Sequence, residues 1–193
     1  MRLVLGLLCA IGLAGAAQAA TPFELYEQGK YDAAIAAGRM ENDAAGYAIA
    51  ARAELAAEAM GDTRCLDCIR RAQDDARKAI AVDPRFPDGH VFLAVALGRE
   101  GRLISTFTVL RKGYPSQAKS ELDAAIAADP GSAFAWSALG GWNIEIVHKG
   151  GERVAHMMYG ASLADGLAEF EGVCAGPRQC RPALSICPDA VGL

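Results

Sequence analysis

Ala79-Ile80-Ala81-Val82-Asp83-Pro84 returns one period of 46 residues later as Ala125-Ile126-Ala127-Ala128-Asp129-Pro130. Each copy closes an Ala-rich amphipathic stretch with an Asp-Pro stop, because proline disfavours helical geometry in the residue before it. Each is followed by a new apolar helical pattern, Asp88 to Gly98 in one case and Ser132 to Val147 in the other. A fixed period of this size is the mark of stacked helical hairpins, in which each hairpin buries its apolar face only against its neighbours.

The same reading extends outward in both directions. Phe23 to Gly38 reads as helix, turn and helix, with Gly29 at the turn and Tyr31, Ala34 and Ile35 at helical spacing after it. Asp43 to Met60 consists almost wholly of strong helix formers. Gly61-Asp62-Thr63 ends it, and Leu66 to Val82 is the next helix. Ser116 to Ala128 carries Ala118, Leu122, Ala125 and Ile126 on one face, and Ser162 to Glu171 aligns Leu163, Leu167 and Phe170. No stretch alternates with strand composition. The predicted fold is all-α: a curved α-solenoid of three to four antiparallel helix pairs with one concave face.

Both ends of the chain differ from this body. Arg2, the apolar run Leu3 to Leu13 and the small-residue step Ala17-Gln18-Ala19 have the form of a secretory signal peptide cleaved near Ala19. The expectation is export to a periplasm, with residues 20–171 as the repeat domain and no membrane span after cleavage. Loss of Arg2 takes the net charge from −4 to −5, and an acidic chain without a basic stripe argues against nucleic acid and anionic membrane surfaces. Residues 172–193 are rich in Cys and Pro and cut the last helix short. Codons for residues 172–179 read one nucleotide later can encode Ala-Ser-Ala-Leu-Ala-Pro-Asp-Asn, much like the two repeat closures. A frameshifted end and a natural disordered or disulfide-tied cap are both open readings of this tail.

Trp136-Ser137-Ala138-Leu139-Gly140 matches the W-x-x-L-G opening of a tetratricopeptide repeat (TPR), and Tyr26 to Ile35 resembles the turn and second helix of another. The period is longer than the usual repeat, and the surplus falls at Arg99 to Pro115 and Lys149 to Ala161, between the helices of a pair. These inserts end alike, at Tyr114-Pro115-Ser116 and Tyr159-Gly160-Ala161-Ser162. With Gly141-Trp142-Asn143-Ile144-Glu145-Ile146-Val147 and Gly150-Gly151, they resemble a group of bacterial exported TPR-like proteins that includes the T component associated with TRAP-type transporters. The resemblance covers Phe23 to Glu171. It implies a non-catalytic periplasmic scaffold for protein partners or, alternatively, an accessory component of solute uptake that holds a small or apolar ligand.

Three groups of residues invite a chemical reading. Trp136, Trp142, Glu145, Arg153 and Tyr159 gather around one helix and its insert, and Trp142, Glu145 and Lys149 are spaced to share a helix side. Such a side lines a groove with aromatics to stack and a carboxylate to orient a ligand. The bland alternative makes the tryptophans core and pairs Glu145 with Arg153. Cys65-Leu66-Asp67-Cys68 reads first as a local disulfide, and only then as a site of thiol-disulfide exchange, since no βαβ pattern surrounds it. Five cysteines would remain after cleavage, so one has no partner within the chain. His90, His148 and His156 make no metal motif and read as surface or cap residues. No metal, cofactor or catalytic set is expected.

Overall fold

The structure is a computed structural model that describes residues 19–62 and 64–174. The expected leader and the Cys- and Pro-rich tail therefore lie outside the described residues, apart from Ala19 and the last turn of the final helix. The described residues form helices and no strand: α1 Pro22–Glu27, α2 Tyr31–Glu41, α3 Ala44–Met60, α4 Leu66–Val82 and α5 Pro87–Leu103, followed by α6 Thr106–Lys112, α7 Tyr114–Ala128, α8 Ala133–Gly150, α9 Glu152–Tyr159 and α10 Leu163–Cys174.

Four antiparallel pairs stack in order: α1 with α2, α3 with α4, α5 with α7, and α8 with α10. The first helices of successive pairs touch one another, α1 on α3, α3 on α5 and α5 on α8. The second helices α2, α4, α7 and α10 pack on their own partners, and α2, α4 and α7 also pack on the first helix of the next pair. The first-helix layer is thus the tighter one. A stack closer on one side bends toward it, so α1, α3, α5 and α8 line the concave face.

Local chemistry explains the boundaries. Thr21, Asp43, Ser105 and Ser132 cap helix starts with side-chain oxygens on backbone N–H groups. The two Asp-Pro steps stop α4 and α7 at Val82 and Ala128, as read. Two expectations are corrected. First, α5 runs past Gly98 to Leu103 and α8 reaches Gly150, because buried Glu100 and partly buried Ile146 and Val147 continue the packed faces. Second, α7 begins at Tyr114, so Pro115 lies in its first turn, where its missing N–H costs nothing, and not in the insert before it; the inserts contain helices of their own, α6 and α9.

Superimposing the repeats in sequence gives one register for the core. Gly46, Gly89 and Ala135 take equivalent places, as do Ala50, Leu93 and Leu139, and Ala53, Ala96 and Trp142, and all are buried. Small residues set the spacing within this core. A Cβ on Gly38 or Gly46 would collide with the backbone carbonyl of the other, so α2 and α3 touch main chain to main chain. Ala79 and Ala125, from the repeated phrase, are fully buried.

Polar struts cross the pairs. Arg39 of α2 donates to Glu54 of α3 at 2.9 Å and to Asp75 of α4 at 2.6 Å, and both carboxylates are buried. His90 of α5 is buried and joins Glu121 of α7 at 2.6 Å and the Pro84 carbonyl at 2.9 Å. That corrects the surface reading of His90, while His148 and His156 are exposed in the last turns of α8 and α9.

Candidate functional site

Because the repeats share a register, the same space recurs between a second-layer helix, the next first-layer helix and whatever follows that helix. Each copy is filled differently. Between the first two pairs it is an open charged groove of about 400 Å³ bordered by Asp32, Arg39, Glu54, Glu58, Arg71 and the two cysteines. Between the second and third it is closed by Glu100. This buried carboxylate accepts from Gln73 at 2.6 Å and lies 3.4 Å from Lys112 and 3.5 Å from Arg70. Burial by itself would raise its pKa, but the hydrogen bonds from Gln73 and Tyr114 and the charge of Lys112 hold it below the usual carboxylate value. Between the third and fourth it is a cleft of about 310 Å³ lined by Ser116, Lys119, Ser120 and Asp123 of α7, Trp142 of α8, and Met158 and Tyr159 of α9.

This last cleft tests the aromatic cluster expected from the sequence. Trp142 and Tyr159 do meet, edge to face with centroids 6.4 Å apart, and Lys119 lies 6.0 Å from the indole. Trp142 is largely buried, and its Nε1–H donates to the Pro115 carbonyl at 2.9 Å, so the ring is fixed as a wall. The other members go elsewhere. Trp136 is held by the Pro130 carbonyl at 2.9 Å. Glu145 faces Lys149 at 3.3 Å and Arg102 at 4.0 Å, not the cleft. Arg153 is exposed on α9 and forms no ion pair with Glu145, so that pairing is corrected.

Cys65 and Cys68 form a disulfide. Cys65 also caps α4, its sulfur accepting from the Cys68 N–H at 3.1 Å. No group of three or more His, Cys, Asp or Glu residues that could hold a metal occurs among the described residues.

Sequence inspection missed the arrangement at the concave face. Arg52 of α3 lies under rings from three other helices: Tyr26 of α1 at 4.4 Å, Phe134 of α8 at 4.8 Å, Phe23 of α1 at 5.9 Å and Phe92 of α5 at 6.0 Å. One signal was legible in principle. In the common register Arg52 is equivalent to Val95 and Gly141, so a cation stands where the other repeats have apolar or no side chains.

Stacked antiparallel pairs with a W-x-x-L-G helix define a TPR-like helical repeat protein. A crystal structure of a thermophilic TPR protein from Thermus thermophilus shares this fold, with TM-score 0.51, 19% sequence identity, and coverage of 86% of this chain and 91% of that one. The family described as "Regulator of microtubule dynamics protein 1-3" matches residues 25–172, and the chain belongs to that family. No curated protein sequence matches it.

Proposed function

We propose that this protein is a non-catalytic scaffold that holds a segment of a protein partner on its concave face. The observation that carries this reading is the first-helix layer, where Arg52 and the rings of Phe23, Tyr26 and Phe134 form an amphipathic surface drawn from separate repeats. Extended concave faces of stacked repeats commonly serve as binding surfaces. The leader-like start and the Cys65–Cys68 disulfide support an exported, periplasmic setting, since disulfides persist in oxidising compartments. Photo-crosslinking groups placed at Val95 in the concave layer and at Arg77 on the outer layer test the scaffold. Adducts to a discrete protein at Val95 and none at Arg77 are expected; equal labelling at both would refute it.

A second reading rests on a different observation. The Trp142–Tyr159 cleft, with Lys119 and Asp123 at its rim, has room for a small ligand, which suits an accessory component of TRAP-type uptake. Native mass spectrometry of the purified protein decides it. A stoichiometric small molecule lost on Tyr159→Ala supports the uptake role, and a bare protein does not.

A further inference from the structure

Among the described cations, four side chains are half-buried: Arg39, Arg52, Arg99 and Lys119. Three are neutralised by carboxylates, Arg39 by Glu54 and Asp75, Arg99 by Glu58 at 2.9 Å, and Lys119 by Asp123 at 2.6 Å. Among the described residues Arg52 has no carboxylate within 4.0 Å, and its Nε is buried without a hydrogen-bond partner there. A half-buried guanidinium without a counter-charge is costly unless something else compensates it. The ring faces do so only in part, because they attract the cation but accept none of its N–H groups well.

We infer that Arg52 is the anchor of a binding site for a carboxylate group borne on an apolar segment of a protein partner. This deepens the scaffold reading by naming the chemistry its concave face recognises. The geometry suits a carboxylate. Rings at 4.4 and 4.8 Å hold the guanidinium in place and leave its remaining N–H groups as donors for a bidentate pair. Phe23, 47% exposed, offers an uncovered apolar surface beside it. A Cβ on Gly141, at the equivalent place on α8, would meet nothing within 4 Å, so the space in front of that helix is open. Asp88 is near enough for the charge of Arg52 to oppose the rise that burial gives its pKa, but it forms no ion pair with Arg52. No described carboxylate hydrogen-bonds the guanidinium, whose N–H groups therefore stay available to an incoming acid. A phosphate dianion would find a single cation here, whereas one carboxylate matches it.

The carboxylate is either a chain terminus or an acidic side chain, and two probes separate these. N-acetyl-phenylalanine carries the first, and N-acetyl-aspartyl-phenylalaninamide the second. Each is titrated into the purified protein while NMR follows the Arg52 Nε–H and the amides of α1 and α8. The expected result is saturable shifts with a dissociation constant of order 1 mM for at least one probe, and at least tenfold weaker binding of N-acetyl-phenylalaninamide, which has no carboxylate. The probe that binds identifies the source. Equal shifts with acid and amide, or none up to about 20 mM of either acid, would overturn the site. Arg52→Gln should abolish the acid-specific shifts while circular dichroism stays helical, but the acid–amide comparison in the unsubstituted protein stands without it. Cross-links at Val95 that survive Arg52→Gln would leave the scaffold and remove this site. Acid binding without Val95 cross-links would do the reverse.

Discussion

At the residue scale, two carboxylates show how placement decides sign. Glu100 is 1% exposed and its donors hold it below the ordinary value. Its contribution to stability is therefore complete above the unfolded carboxylate pKa of about 4.3 and is lost as pH falls through its lowered native value. Removing it strands Gln73 and leaves Lys112 and Arg70 without their acid, so Glu100→Ala should cost about 3 kcal/mol at neutral pH. Urea unfolding checks this, and the deficit should shrink on acidification. Asp88 is the opposite case. Burial raises its pKa, with Arg52 offsetting only part of that. Its neutral form suits the fold, so stability is fullest below about pH 3.9 and falls as pH rises through the raised native value. Asp88→Asn should raise the melting temperature at pH 7 and change it little near pH 3; a loss at pH 7 would show that Asp88 pairs in solution. Neither carboxylate stands out in the sequence, because its partners arrive from other helices. Trp142 and Tyr159 were legible as a cluster because one insert separates them, whereas Glu145 and Arg153 were grouped by proximity in sequence alone.

At the element scale, the helix ends written in local chemistry were readable and those set by packing were not. Leu66–Val82 has both its limits in the chain, the Gly61-Asp62-Thr63 stop ahead of it and Asp-Pro after it, although the residue that caps it is Cys65. The end of α5 has none, since Gly98 looks like a stop but is exposed and interrupts nothing. The two kinds of glycine predict opposite responses. Gly98 has open space where a Cβ would go, so Gly98→Ala should stabilise by about 0.5–1 kcal/mol through helix propensity alone. Gly46 faces the Gly38 carbonyl across α2 and α3, and Gly46→Ala must push the helices apart, costing about 2 kcal/mol or more. Chemical denaturation of both variants checks the pair, and a destabilised Gly98→Ala would contradict the open space. Inserts α6 and α9 were hidden for a different reason: at 7 and 8 residues they span only about two turns, too few to establish a helical period, and Phe107, Met157 and Met158 on them are exposed.

At the scale of the whole molecule, the repeat phrase made the class plain, while the curvature depended on which helices touch. In an ideal solenoid each pair feels only its neighbours, and the first and fourth pairs open independently. Here Arg52 breaks that rule. It lies within 5 Å of Tyr26 in the first pair and of Phe134 in the fourth, although it belongs to the second. Such cation–π contacts contribute about 0.5–2 kcal/mol each when partly desolvated. Removing the side chain should therefore loosen two regions far apart in sequence at once. In Arg52→Ala, hydrogen exchange should quicken together in α1 and in the second turn of α8, by about 2- to 30-fold, a range set by those energies. Amides of α4 and α7, which the side chain does not touch, should keep their protection. Faster exchange confined to α1 would mean that Arg52 only holds down that helix, and that a single cation does not link the four pairs.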